Sequence, residues 1–247
     1  WPSRCAQRSL APSGRLHDMH QRFTLAGPAG RDLPSDVVSY GHDIPREDTL
    51  KLLGNVEGKR VLDLGCGACH NAIALVRHGA KVIAVDSSSD QIADARAAAD
   101  EAGVKLELHH APLAELAFIR ADTIDAVVSA FGLIQVDDLD RVFRQVDRVL
   151  RPEHHFVLSL PHPAFAMADP EDPAGTIRRS YWDPAPVGDA IPRTISALFT
   201  SLGRANFRVD ALLEPEPAAA APRSGGWTPL MAQVPATVIL RARKQGI

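Results

Sequence analysis

Short apolar runs recur along the chain, separated by stretches with helical spacing. Val61, Leu62 and Leu64 form a continuous apolar run around Asp63, and Val82 to Val85 form a second. Such runs suit strands covered on both faces, as in a parallel sheet. Ile124 to Ser129 and Phe156 to Leu160 read the same way, and Lys105 to His109, ahead of both, reads as a shorter third strand. Helical patterns fill the gaps. One helix starts near His70 or Asn71. A second opens on the capping-box pattern Ser88-x-x-Gln91 and runs to about Ala102, with Gly103 as its terminator. A third runs from Asp138 to Leu150, with Leu139, Val142, Phe143, Val146, Val149 and Leu150 on one face; Arg141, Arg144, Asp147 and Arg148 lie opposite, expected in solvent, and Pro152 ends it. Ile195 to Leu202 predicts another helix, and Phe207 to Leu213 and Thr237 to Arg243 two late strands. Strand and helix alternating in this way predict an α/β fold, a doubly wound Rossmann-like sheet between two helical layers.

A chain of 247 residues that is 45% hydrophobic can bury one large core, so residues 31–247 are expected to form a single domain. The first 30 residues differ in character. They carry Arg4, Arg8, Arg15 and Arg22, several Pro and Gly, and one acid, Asp18. A disordered leader is expected there, including upstream sequence ahead of a start at Met19; a targeting peptide is disfavoured by Pro2, Pro12 and Gly14. Glu214 to Gly226, rich in Pro, Ala and Gly, reads as a loop. The net charge of −3 provides no bulk attraction for nucleic acid or an anionic membrane, and no apolar run approaches the roughly 20 residues of a membrane span. Three cysteines cannot make a disulfide framework. These features predict a cytoplasmic enzyme acting as a monomer or homodimer, with no nucleic-acid or membrane partner.

The most informative stretch runs from Arg60 to Asp86, read as strand, glycine turn, helix, strand and acid. Gly65 and Gly67 allow a tight turn and close approach of a ligand to the main chain, while the following helix directs its free N–H groups at the same place. Asp86 ends the second strand about 20 residues beyond the turn, the offset at which an acid meets ribose hydroxyls. A nucleotide-like cofactor is implied. The dinucleotide fingerprint G-x-G-x-x-G would need glycine at position 70, where His70 stands, which argues against NAD and FAD. Cys66-Gly-Ala-Cys69-His70 also spells the attachment signature of c-type haem. The strand-turn-helix unit already accounts for its glycines, and the two cysteines read as small side chains filling the turn rather than as haem anchors or a redox pair.

The run Asp63-Leu-Gly65-Cys-Gly67-Ala-Cys69 resembles motif I of the class I S-adenosylmethionine-dependent methyltransferases, with Cys69 in place of the third glycine. The resemblance extends in order through Val85-Asp86, the strand at Ile124, the helix ending Leu150-Arg-Pro152 and the strand at Phe156, covering roughly positions 40 to 244. It implies a seven-stranded, mostly parallel sheet whose two late strands form an antiparallel pair at the edge, and S-adenosyl-L-methionine as cofactor. Residue by residue, it implies cofactor contacts from Asp63 (to the methionine amino group), Gly65, Cys66, Gly67, Asp86 (to the ribose), Ser87, Leu113 and Ser129. At the adenine end, where the family often carries an acid, this chain has Ala111-Pro112, which has neither carboxylate nor proline N–H.

For the methyl acceptor, the fourth strand ends Ser129-Ala-Phe131-Gly. It lacks the Asn/Asp-Pro-Pro-Tyr/Phe run with which the family's nucleic acid base methyltransferases grip a flipped base. A small-molecule acceptor is expected. His162, on the turn Pro161-His162-Pro163, is the candidate catalytic base. Residues 164–193, with Phe165, Met167, Tyr181 and Trp182, read as a lid-like insertion, and Tyr40, Gly41 and His42 as a cover from the other side. Tyr40, His42, Phe131, Tyr181 and Trp182 are the candidate acceptor contacts. No metal site is expected, because His109-His110 and His154-His155 are strand neighbours that point to opposite faces. The expected activity is methyl transfer to oxygen, nitrogen or carbon; the alternatives are a noncatalytic S-adenosylmethionine- or nucleoside-binding protein and an NAD-dependent oxidoreductase.

Overall fold

The computed structural model describes residues 35–246, apart from 170, 171, 173, 188, 189, 220–222 and 225. The expected leader over residues 1–30 lies outside the described residues. Seven strands, β1 (Arg60–Leu64), β2 (Lys81–Asp86), β3 (Glu107–His110), β4 (Ile124–Ala130), β5 (Leu150–Pro161), β6 (Phe207–Leu213) and β7 (Thr237–Lys244), form one sheet in the order β3-β2-β1-β4-β5-β7-β6. β1 to β5 pair in parallel, whereas β7 runs antiparallel to both β5 and β6. The antiparallel strand of the edge pair therefore lies one place in, with β6 outermost. Strand order reverses between β1 and β4, the position at which open α/β sheets leave a ligand crevice at their carboxyl ends.

Strand periodicity divides the apolar side chains between two faces. Leu62, Leu64, Val127, Phe156, Leu158 and Leu240 belong to one buried cluster; Val61, Val128, Val157 and Ile239 belong to the other. The first face is covered by the helices Leu139–Val149 (α4) and Ile195–Arg204 (α6), through Phe143, Val146, Leu198 and Leu202. The second is covered by His70–Arg77 (α2) and Ser89–Ala102 (α3), and by the stretch from Val38 to Val56 that contains the short helix Glu47–Leu50 (α1). Expected caps are present: Ser88 Oγ accepts from Gln91 N–H, and Gly103 closes α3 at φ +65°. Two expectations on α4 fail. The helix stops at Val149 and β5 begins at Leu150, so Pro152 lies within a strand instead of ending the helix. Arg148 is not solvated but donates to the carbonyls of Leu116 (2.6 Å) and Ile119 (2.9 Å), tying the loop before β4 to the helix. Another helix, Pro163–Met167 (α5), follows β5 directly.

At the switch point, main chain packs on main chain. Gly65 turns at φ +74° just beyond β1, and Gly132 lies against it beyond β4; a Cβ on Gly132 would meet Leu64 O at 2.5 Å and Gly65 Cα at 2.7 Å. Ser129 Oγ donates to Leu64 O (2.7 Å) and fastens the same two strand ends. We expect Gly132→Ala to cost about 2–3 kcal/mol through overpacking against backbone that cannot withdraw, read as a fall of several degrees in thermal unfolding by circular dichroism.

Candidate active site

The carboxyl ends of β1, β2 and β4 and the first turns of α2 and α3 enclose a cleft of about 230 Å³. Asp63, Gly65, Cys66, Gly67, Asp86, Ser87 and Leu113, all expected at a cofactor, line it, as does Phe131. The local geometry follows from the glycine turn. Gly65 and Cys66 donate to Val85 O (2.8 and 3.1 Å), which holds the turn against β2. Cys69, at φ +64°, is the N-cap of α2 and so keeps the left-handed conformation that its motif position normally reserves for glycine. Its side chain is fully buried in the core.

Two carboxylates sit at the strand ends. Asp86 Oδ2 accepts from Gly67 N–H and Oδ1 from Ser88 N–H, both at 2.9 Å, so one acid joins the turn after β1 to the start of α3. Asp63 is 2% exposed. It accepts from Ala72 N–H in the first turn of α2, while Oδ2 is buried with no hydrogen-bond partner among the described residues. Burial, reinforced by the charge of Asp86, raises its pKa from 3.8 to about 7 against the lowering effect of the Ala72 N–H. His70 Nε2 and Gln91 Oε1 are likewise buried without a partner, and both residues line the cleft. Burial lowers the His70 pKa and so keeps the ring neutral. The cleft thus gathers three buried polar atoms that have no partner among the described residues. Asn71 also lines it, but its amide exchanges hydrogen bonds with Ser39 (2.8 and 2.9 Å) and clamps the stretch ahead of α1 onto α2.

Several expected residues lie elsewhere. Ser129 is buried beneath the cleft, its hydroxyl committed to Leu64 O as described above. His162 is the N-cap of α5: Nδ1 accepts from Ala164 N–H (3.1 Å), so Nε2 carries the proton and donates to Glu214 Oε1 (2.8 Å). Both nitrogens are engaged, and it takes no part in the cleft lining. Tyr40 is fully buried in the core and donates its hydroxyl to Glu47 Oε2 (2.7 Å). Glu47 also accepts from the main chain of Leu52, Leu53 and Gly54, so Tyr40 anchors a turn instead of facing a ligand. His42 is buried outside the cleft lining. Tyr181 and Trp182 meet edge to face at 5.7 Å away from that lining, with Trp182 79% exposed. Phe165 is a core residue. His109 pairs with Glu107 (2.9 Å), while His110 reaches Ser87 O (3.1 Å), and no group of three His, Cys, Asp or Glu suited to a metal occurs among the described residues.

The cysteine motif is chemically quiet. Hydrogen bonding to Cys69, then burial and the nearby carboxylates, hold the Cys66 thiol well above its ordinary pKa, and both cysteines are free thiols. The wall also contains His70, Asn71, Ser88, Gln91, Ala130, Gly132, Ile134 and Gln135, none of which was among the expected site residues. Their one signal was position, in the first helical turns after β1 and β2 and the loop after β4.

A family profile described as a methyltransferase domain matches residues 61–153, from β1 into β5. Among solved structures, an S-adenosylmethionine dependent methyltransferase from Mesorhizobium loti is 30% identical, with a TM-score of 0.63, covering 78% of this chain and 94% of that one. Among curated relatives, a ubiquinone biosynthesis O-methyltransferase of Bordetella avium is 34% identical over 102 residues, 41% of this chain and 42% of its own. A demethylmenaquinone methyltransferase of Bacillus cereus is 29% identical over 143 residues, 56% of this chain and 58% of its own. The chain spans about half the length of the curated relatives it matches.

The raised pKa of Asp63 has a defined sign. The folded state holds this proton more tightly than the unfolded state, so the contribution to stability is complete below about pH 4 and is lost as pH rises through about 7. Asp63→Asn removes that dependence. Its melting temperature relative to the parent is expected to climb steadily between pH 4 and pH 8, as followed by scanning calorimetry in buffers of equal ionic strength.

Proposed function

The chain belongs to the S-adenosylmethionine-dependent methyltransferases, and on that premise we propose that it moves the cofactor's methyl group to an oxygen, nitrogen or carbon atom of a small-molecule acceptor. The observation that carries the reading is the cleft at the switch point, with its glycine turn, two carboxylates and three unpartnered buried polar atoms. S-adenosylmethionine fits these residues. Asp63 provides the counter-charge for the cofactor's ammonium, and its free buried oxygen is the atom that such a cation would satisfy. Each Asp86 oxygen holds one main-chain N–H and keeps a lone pair for a ribose hydroxyl. Gly65 and Gly67 bring main chain up to the ligand, Leu113 offers an apolar face, and Cys66 and Ser87 complete the wall between them.

When bound, the cofactor supplies a methyl group already activated on a sulfonium. Transfer then depends on in-line alignment more than on acid–base power. We assign Phe131, Ile134 and Gln135, on the loop after β4, to the acceptor side of the cleft. Residues 164–193 act as its cover, because Ile191 N–H donates to Ile134 O (2.8 Å) and Arg193 holds the Val136 and Asp137 carbonyls, which joins this segment to the acceptor wall. An acceptor that must shed a proton has His70 beside it, neutral and with Nε2 unpartnered; His162 is withdrawn from that role. A small acceptor is supported by the Ser129-Ala-Phe131-Gly end of β4 and by the quinone-pathway names of the two curated relatives. Residues 31–247 then form one catalytic domain. A cytoplasmic location is supported by two free thiols beside one another, and no helix among the described residues is long and apolar enough to cross a membrane.

Calorimetric titration with S-adenosylhomocysteine is expected to show binding that Asp86→Ala weakens at least about tenfold, since charge-assisted hydrogen bonds are lost. Affinity should rise about tenfold from pH 6 to pH 8 as Asp63 ionises to receive the ammonium. Asp63→Asn should bind weakly and independently of pH over that range. Absence of any binding heat in the parent protein, checked by equilibrium dialysis, would remove the reading.

A further inference from the structure

The first turn of α3 contains an incomplete capping box. Ser88 Oγ accepts from Gln91 N–H at 3.3 Å, which is one half of the motif. In the other half, the Gln91 side chain would accept from Ser88 N–H. That proton is already taken by Asp86 Oδ1 at 2.9 Å. Gln91 Oε1 is therefore left buried and without a partner among the described residues, on a side chain that lines the cleft. A helix-capping glutamine has been displaced from its cap by the acid of the neighbouring strand, which leaves a strong acceptor unpartnered on a residue of the cleft wall.

The opposite wall offers no side-chain acceptor. Ala111 and Leu113 have apolar side chains, Pro112 has no N–H, and the Ala111 N–H donates to Asp86 O at 3.0 Å. With Asp86 engaging the ribose, the nucleoside's base extends away from β1, among Ser87, Ser88, Gln91 and Leu113. Adenine presents an exocyclic amino donor beside ring-nitrogen acceptors. A carboxamide is complementary to that edge, accepting from the amino group and donating to the ring nitrogen.

We propose that Gln91 is the residue that recognises the base of the cofactor, its Oε1 accepting from the 6-amino group of adenine. The assignment rests on the reading of the cleft as the S-adenosylmethionine site. It makes the 6-amino group a requirement for tight binding, imposed from the helix after β2 instead of from the loop after β3.

The test is a cycle of four calorimetric titrations. Parent protein and Gln91→Met are each titrated with S-adenosylhomocysteine and with the analogue whose base is unsubstituted purine. Loss of the amino group is expected to weaken binding to the parent by roughly five- to twentyfold, and to Gln91→Met by less than about twofold. Gln91→Glu, which retains the acceptor oxygen, keeps the discrimination. The free variants should melt within about 2 °C of the parent, because no hydrogen bond of the Gln91 side chain is removed. An equal loss in parent and Gln91→Met, with both folded, overturns the assignment. Failure of the parent to bind S-adenosylhomocysteine overturns the cofactor reading itself, and the assignment with it.

Discussion

The contact between Gly65 and Gly132 is the constraint on which the rest of this molecule depends. Two main chains meet where the strand order reverses, at a separation that leaves no room for a Cβ on either side. With Ser129 Oγ bonded to Leu64 O, the contact sets how far the end of β4 stands from the turn after β1. The cleft opens beside it, walled by the residues that follow each strand. Had either position carried a side chain, β1 and β4 would have splayed, and the acids at the ends of β1 and β2 would no longer address the same volume.

The electrostatics of the cleft show a site built for a ligand at some cost to the fold. A carboxylate that is 2% exposed, beside a second acid, is unfavourable in the free protein, and only the Ala72 N–H moderates it. Unpartnered oxygens on Asp63 and Gln91 and an unpartnered nitrogen on His70 add to that cost. All three belong to residues that line the cleft at the switch point. A zwitterionic nucleoside offers a cation, hydroxyls and an amino group together, the set of partners these atoms lack.

Much of the fold was legible because it depends on local rules. β6 was predicted to the residue, and β1 to β4, β7, the Ser88 N-cap and the Gly103 terminator within a few positions, from apolar runs, amphipathic spacing and cap chemistry, whereas β5 starts at Leu150, six residues before the expected Phe156. The site was legible where a side chain is carried by the glycine turn or a strand end, as with Asp63, Gly67, Asp86 and Leu113. It was not legible where an isolated residue looked reactive. His162 and Tyr40 carry groups suited to catalysis, yet each completes a hydrogen-bond set in its own turn, with Glu214 and with Glu47. Competition for partners decides such cases, and partners distant in sequence leave no trace in local pattern. Arg148, taken for a solvent charge on its helix face, illustrates the same point by reaching the carbonyls of the preceding loop.

By itself, the sequence determined the elements, the doubly wound sheet, the nucleotide-type crevice and the acids that face it, because each follows from periodicity and from offsets of a few residues along one chain. Tertiary structure alone decided which polar groups remained unsatisfied. Asp86 takes the Ser88 N–H and releases Gln91, Glu214 engages His162 and withdraws it, and packing against Gly132 fixes the width of the cleft. Those outcomes depend on distances between strands and loops far apart in the chain, and a hydrogen bond made to one partner is unavailable to another.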